Sequence, residues 1–303
     1  VDAQGDYAYV GEGTQLTILD VSNPVAPVVA GRSPVFLDVV QDVKVEGNLA
    51  YVALGYEGLA ILDVTNPSAP IILGTLAMPL YVHAGEIVVA GQYAYVVDQG
   101  DGFLMIINVA NPAAPSHTGS IDIEGHVLSL AVAGSYAYVI TFDALSFIDV
   151  TDPEDPFVAG EYAFEEVWGS PEVEDMAVVG DYAYILMNDP KLVWVLDITD
   201  PESPVQVGMA DLLQYSLSIT VGEDYAYVVD IKGGLTTVDI GDPANPAESG
   251  YLAPRQDIPD GGSGLVVAGD LAFFNDPYGL RIADISDPGN PVQTSTYDTL
   301  AIP

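Results

Sequence analysis

The sequence predicts an all-β protein, a seven-bladed β-propeller with four antiparallel strands per blade. Two recurring phrases and one missing pattern carry this. The first phrase is Tyr7-Ala8-Tyr9-Val10, which returns near residues 50, 94, 137, 183, 226 and 272. Its alanines are spaced 42, 44, 43, 46, 43 and 46 residues apart. The second phrase, Asp20-Val21-Ser22-Asn23-Pro24, follows each copy of the first, with another proline three residues on (Pro27, Pro70, Pro115, Pro156, Pro204, Pro246 and Pro291). Meanwhile no stretch holds a helical period bounded by caps. Four strands per repeat of about 43 residues, seven times over, read as propeller blades rather than as a solenoid of short uniform coils.

Within a repeat, the first strand is an alternating run ending in glycine, such as Val43-Lys44-Val45-Glu46-Gly47. The Tyr-Ala-Tyr-Val phrase is the second strand. The third is a run such as Leu59-Ala60-Ile61-Leu62-Asp63-Val64, apolar on both sides and so suited to a sheet covered on both faces. The fourth follows the double proline, as in Ile71-Ile72-Leu73-Gly74. β-branched and aromatic residues fill the runs, while Gly, Pro, Asn and Asp separate them. The expected blades are 1–37, 38–81, 82–124, 125–170, 171–215, 216–258 and 259–303 of a single domain. The chain opens on a first strand and closes after a fourth, so no overlapping closure strand is expected.

The recurrent polar residues have structural explanations. An Asn or Asp before proline accepts a backbone N–H and starts a turn, while proline fixes φ. The earlier acid of the phrase (Asp20, Asp63, Asp149, Asp197, Asp239, Asp284) is expected to tie the same loop. The alanine at the centre of the second strand marks a close approach between blades.

Charge excludes several functions. Six Lys and Arg stand against 44 Asp and Glu, a net charge of −38 at neutral pH, although half the residues are apolar. A field of this sign repels phosphate backbones and anionic lipid, so neither nucleic acid nor a membrane surface is an expected partner. The most apolar window, Ile71 to Val89, is interrupted by Gly74, Pro79, Gly85 and Glu86 and reads as strand, loop and strand rather than a membrane span. With no cysteine, disulfides and thiolate chemistry are impossible. A lysine count of three suits an extracellular or cell-surface protein better than a cytosolic one.

The third-strand phrases Leu16-Thr17-Ile18-Leu19-Asp20, Leu59-Ala60-Ile61-Leu62-Asp63, Leu145-Ser146-Phe147-Ile148-Asp149 and Leu280-Arg281-Ile282-Ala283-Asp284 resemble the LVIVD repeat family. The Asn-Pro-x-x-Pro that follows and the Tyr-Ala-Tyr-Val that precedes are similar to it as well. The resemblance covers all seven repeats. Blade 3 departs with Asn108, and blade 5 with Val193-Trp194-Val195-Leu196. It implies a propeller, often on bacterial or archaeal surface proteins, with no shared activity and no catalytic residues to carry over.

No hydrolase elbow, zincin motif or P-loop is present. Candidate ligand positions are His83 and His126, which share a register eight residues before Gly91 and Gly134, with Glu172 in the matching place of blade 5. Two imidazoles and a carboxylate suit a transition metal. Asp42, Glu86 and Asp175 share a register at the first strand, and Asp38, Glu174, Asp257 and Asp260 lie in the same class of connector. Oxygen ligands converging on a channel mouth suit Ca²⁺ as a cofactor. Asp98 and Asp101, in Asp98-Gln99-Gly100-Asp101-Gly102, form a loop that reads as a weak cation grip or a plain turn. Trp168, in the long connector of blade 4, is a candidate for stacking on a sugar or anchoring a protein partner. Trp194 falls in a variable register and reads as filling an inter-blade gap or standing partly exposed.

The expectation is therefore a non-enzymatic extracellular or cell-surface structural and interaction propeller. It would bind itself, a surface protein or a glycan, including as a cation-stabilised subunit of a layer or filament. The alternative is a hydrolase or lyase at the channel mouth, using an acidic, Ca²⁺-assisted site.

Overall fold

The structure, a computed structural model, describes residues 1–79, 82–100, 102–164, 172–256, 259–261 and 264–299. Among them every regular element is a strand. The strands form seven four-stranded antiparallel sheets, each built from four strands consecutive in sequence and paired in chain order. No sheet borrows a strand from another repeat. Blade 1 comprises Asp2–Gln4, Tyr7–Glu12, Gln15–Asp20 and Val28–Arg32. Blade 2 comprises Asp42–Glu46, Leu49–Ala53, Leu59–Asp63 and Ile71–Leu76. The remaining blades run from Glu86–Ala90 to Ser116–Asp122, Val127–Ala133 to Phe157–Ala163, Glu172–Val179 to Val205–Asp211, Ser216–Val221 to Ala247–Leu252, and Leu265–Ala268 to Val292–Asp298.

The chain divides into two compact units, one of residues 1–141 with 147–158, the other of 142–146 with 159–303. In the first, the alternation of strand side chains serves two cores at once. Ala50, Val52, Ala60 and Leu62 of blade 2 pack with Tyr9, Leu16 and Ile18 of blade 1. The residues between them, Tyr51, Leu59 and Ile61, pack with Ile87, Ala94, Val96 and Met105 of blade 3. A central strand is thus apolar on both sides because both sides meet a neighbour. In the second unit, Tyr184, Leu186 and Val193 of blade 5 pack with Ile219, Val228 and Val238 of blade 6 in the same manner. Each such Leu, Ile or Val contributes roughly 1.5–3 kcal/mol by its burial. The phrase alanine is wholly buried in all seven blades (Ala8, Ala50, Ala94, Ala137, Ala183, Ala226 and Ala272).

The second phrase folds as tandem Asx turns. Asp63 Oδ1 accepts the Thr65 amide at 2.8 Å, and Asn66 Oδ1 accepts the Ser68 amide at 3.3 Å. The same i to i+2 bond recurs at Asp20, Asp149, Asp197, Asp239 and Asp284. Asn108 makes it too, to Ala110 at 3.0 Å, so the departure from Asp in blade 3 keeps the acceptor that the turn needs.

This turn is also a docking point for the preceding blade. A β-carbon added to Gly74, in the fourth strand of blade 2, would lie 2.4 Å from the carbonyl oxygen of Pro112 in the turn of blade 3. Gly31 meets Pro67, Gly119 meets Pro153, Gly160 meets Pro201, Gly208 meets Pro243 and Gly250 meets Pro288 in the same way. The fourth strand is bulged beside this glycine, as between Ile61 and Leu62 opposite it. Only a residue without a side chain lets the two backbones approach so closely.

Candidate functional site

The register of acids at the first strands forms a relay between blades. Asp42 Oδ2 accepts the amide of Ile87 at 3.1 Å, and Glu86 Oε2 accepts that of Leu130 at 3.0 Å. In the second unit Asp175 Oδ2 accepts the Ile219 amide at 2.9 Å. Asp2, two positions further along its strand, takes the Val45 amide at 2.6 Å. First strands of adjacent blades share no ladder here, so each carboxylate supplies an acceptor that the neighbouring backbone lacks. Burial pushes the Asp2 carboxyl above its ordinary value, against the pull of Lys44 and its two backbone bonds.

A second set of acids closes the hairpins between second and third strands. Asp98 is buried and accepts the amides of Gly100 and of His83, each at 2.8 Å. Asp230 accepts from Lys232 and Gly234 amides and from the Tyr251 hydroxyl at 2.8 Å. Burial first, and the bond to Asp230 next, push the Tyr251 phenol well above its usual range. Asp276 receives both Nε and Nη2 of Arg255, at 2.7 and 2.9 Å, while Nη1 reaches Asp298 at 2.8 Å. Burial opposes the charge on Arg255, but its bonds to Asp276 and Asp298 outweigh this and hold it above the ordinary value. Glu12 plays the same part for Arg32 at 3.0 Å.

The variable third-strand register is buried throughout. Trp194 is fully enclosed, with the rings of Tyr162 and Phe164 from blade 4 edge-on at 5.5 and 5.8 Å. It fills an inter-blade gap, where a change to alanine would cost ~3–5 kcal/mol. Arg281 occupies the register in blade 7, donating to the carbonyls of Gly233 and Ala253 and to Gln293 Oε1. Burial lowers its pKa.

Fourth-to-first connectors and second-to-third hairpins leave a blade at the same end, because the four strands alternate in direction. In the first unit this end has a distinctive surface. The connector 33–41 is pinned over the blade 1 hairpin by bonds from the Ser33, Phe36 and Val40 amides to the carbonyls of Leu16, Thr14 and Gly13. Phe36 points inward, so its neighbours Val35 and Leu37 point out, 68% and 87% exposed. Asp38 turns its carboxylate onto the blade 2 hairpin and accepts the Tyr56 amide at 3.2 Å. The place of an absent β-carbon on Gly55 lies 2.8 Å from Asp38 Oδ2 and 3.0 Å from His83 Nε2. The Tyr56 ring stands 66% exposed with its partner His83 edge-on at 4.9 Å. Val39 is exposed beside them.

The structure thus brings His83 to Asp38, Gly55 and Tyr56. His126 and Glu172 are exposed at the starts of their blades. Among the described residues no group of three or more His, Asp or Glu is arranged to hold a metal ion. Trp168, Asp101 and Asp257 lie outside the described residues. Among the described residues no helix is long and apolar enough to cross a membrane. Sequence reasoning passed over Val35 and Leu37, because valine and leucine in a β protein read as core, and it passed over Tyr56 as well. The one signal was a run of apolar residues inside a connector bounded by Pro34 and Gln41.

The seven sheets and their shared turns define a repeat propeller. The chain belongs to the LVIVD repeat family, whose model matches residues 1–33, 39–77, 83–123, 124–163, 172–211, 215–253 and 262–299. No curated protein sequence matches the chain. Among solved structures it is similar to a functionally unknown protein from Desulfotomaculum acetoxidans, with a TM-score of 0.76 at 11% identity, covering 95% of this chain and 94% of that one. It is also similar to a hypothetical selenium-binding protein from Sulfolobus tokodaii (TM-score 0.72, 11% identity, 96% and 90% covered). AztD from Citrobacter koseri aligns with a TM-score of 0.69 at 12% identity over 96% and 94% of the two chains. At such identities the likeness shows the fold alone.

Proposed function

We propose that this chain is a non-enzymatic interaction propeller of the cell surface or extracellular space, binding a protein partner through its connector ends. One observation carries the reading. The connector 33–41 holds Val35 and Leu37 in water over a buried Phe36, a placement that contributes nothing to the core. The acids of the shared register support it from the other side. Asp42, Glu86 and Asp175 hold neighbouring backbone amides, which is a structural task. The extracellular placement rests on the scarcity of lysine and on the charge of −38.

A second reading, a layer or filament subunit whose acidic surfaces are bridged by Ca²⁺, is favoured by that same charge. Light scattering in millimolar Ca²⁺ and then in chelator separates the two. A monomer in both conditions is the expected outcome for a partner-binding platform; assembly that collapses in chelator selects the layer subunit. Turnover on polysaccharide or phosphoester panels, lost in Glu172→Gln, would overturn both in favour of a hydrolase.

A further inference from the structure

We propose, building on the interaction reading above, that the surface formed by Val35, Leu37, Val39 and Tyr56 receives a cationic, amphipathic polypeptide segment. The apolar part of the argument is geometric. Val35, Leu37 and Val39 are exposed in the connector, and among the described residues Leu37 is the most exposed of the large apolar ones, at 87%. Asp38 lies between Leu37 and Val39 and binds the Tyr56 amide, so the connector and the blade 2 hairpin form one continuous surface.

That surface is held in shape before any partner arrives. Three backbone bonds fix the connector, from Ser33, Phe36 and Val40. Asp38 fixes the hairpin, and His83 lies edge-on to the Tyr56 ring. A surface fixed in this way loses little conformational freedom when it binds, which is the property of a preformed docking site. Aromatic and aliphatic side chains held outward are the usual anchors of such a site.

The charge selects the occupant. Segments 33–41, 54–58 and 82–86 contain no Lys or Arg and carry Asp38, Glu57 and Glu86. Arg32, just before the connector, is turned onto Glu12 at 3.0 Å. A second copy of this chain brings a charge of −38 to the same surface and is repelled. A segment that places Leu or Phe between Lys or Arg meets both the apolar side chains and the field around them.

The test is fluorescence anisotropy of the full chain with a labelled Leu–Lys amphipathic peptide, beside oligolysine and an uncharged Leu–Ser peptide of equal length. The Leu–Lys peptide is expected to bind tightest, with affinity that falls as salt is raised. Leu37→Ser with Val35→Ser, and separately Tyr56→Ala, are expected to weaken it by about tenfold or more. These side chains are exposed, so the variants fold. Ile71→Ser, which removes an exposed apolar residue at the opposite end of blade 2, is the control and leaves affinity unchanged. Equal loss in the control, equal binding of oligolysine, or no binding by the Leu–Lys peptide overturns the proposal. If Leu37→Ser instead dissolves a self-assembly, the occupant is a second copy; the cationic segment is then wrong while the interaction function stands. Catalytic turnover by the wild-type chain would remove the functional reading itself.

Discussion

The carboxylate of Asp42 reaches across a blade boundary to the amide of Ile87, 45 residues along the chain, at 3.1 Å. Ile87 is wholly buried, so its N–H has no access to water. Removing the acceptor leaves that donor without a partner, which costs ~1–3 kcal/mol. Asp42→Ala is expected to lower the unfolding free energy by this amount in urea titrations. Asp42→Asn, which keeps an acceptor oxygen, should recover most of it. Equal losses in both variants would mean that charge rather than the hydrogen bond is at work.

The glycines of the fourth strands make a second prediction. A β-carbon on Gly119 would stand 2.1 Å from the Pro153 carbonyl oxygen, and both atoms belong to rigid backbone. Gly119→Ala therefore forces blade 3 away from the turn of blade 4, at a cost of ~1–3 kcal/mol. Gly134, whose virtual β-carbon meets nothing within 4 Å, separates crowding from glycine's conformational role, because it sits at φ +60°. Its alanine variant is strained only through φ. Melting curves that ranked Gly134→Ala far below Gly119→Ala would contradict the crowding argument.

The Asx turns predict a substitution that does nothing. Asn108 performs in blade 3 the bond that Asp149 performs in blade 4. Asp149→Asn is expected to leave the melting temperature unchanged, whereas Asp149→Ala lowers it by removing the acceptor of the Thr151 amide. An Asn variant as unstable as the Ala variant would show that the negative charge is required.

Stability should pass through a maximum in mild acid. Burial raises the pKa of Asp2 and Glu174, and burial with repulsion from Asp2 raises that of Glu46. A raised carboxyl destabilises the fold above its folded value, and acidification relieves this. Net self-repulsion falls in the same direction. Hydrogen bonds from Ser22, Thr65, Thr199 and Ser286 instead lower Asp20, Asp63, Asp197 and Asp284. Their contribution is complete above the ordinary aspartate value of 3.8 and disappears as pH falls through the lowered one. Calorimetry should show the melting temperature rising from neutral pH towards the ordinary carboxylate range, then falling below it. A monotonic decline on acidification would contradict the assignment of the raised groups.

Local chemistry made most of the fold legible. An Asn or Asp before proline bonds two residues ahead, so the turns at Asp63 and Asn66 follow from four or five residues of sequence. The alternation of Leu59, Ile61 and Leu62 announces a strand covered on both sides. Long-range relations were another matter. Gly74 recurs in the fourth strand without any local reason, because its reason is Pro112 in the next repeat. Asp42, Glu86 and Asp175 share a register that suggests converging ligands, and in the structure each of them holds a backbone amide of the next blade. The exposed surface was hidden for a different reason. Val35 and Leu37 differ from core residues only in that Phe36 takes the inward place between them, and composition does not record which of three adjacent apolar residues turns inward.

Because each blade keeps its four strands to itself, the protein is assembled from units with clean ends. A gene for such a chain can gain or lose one repeat by unequal crossing-over, and no sheet inherits a widowed strand. What each new copy must bring is small: a glycine where it leans on its successor and a turn where its predecessor leans on it. Heredity can then rewrite the connectors of one blade while every other blade keeps its own four strands.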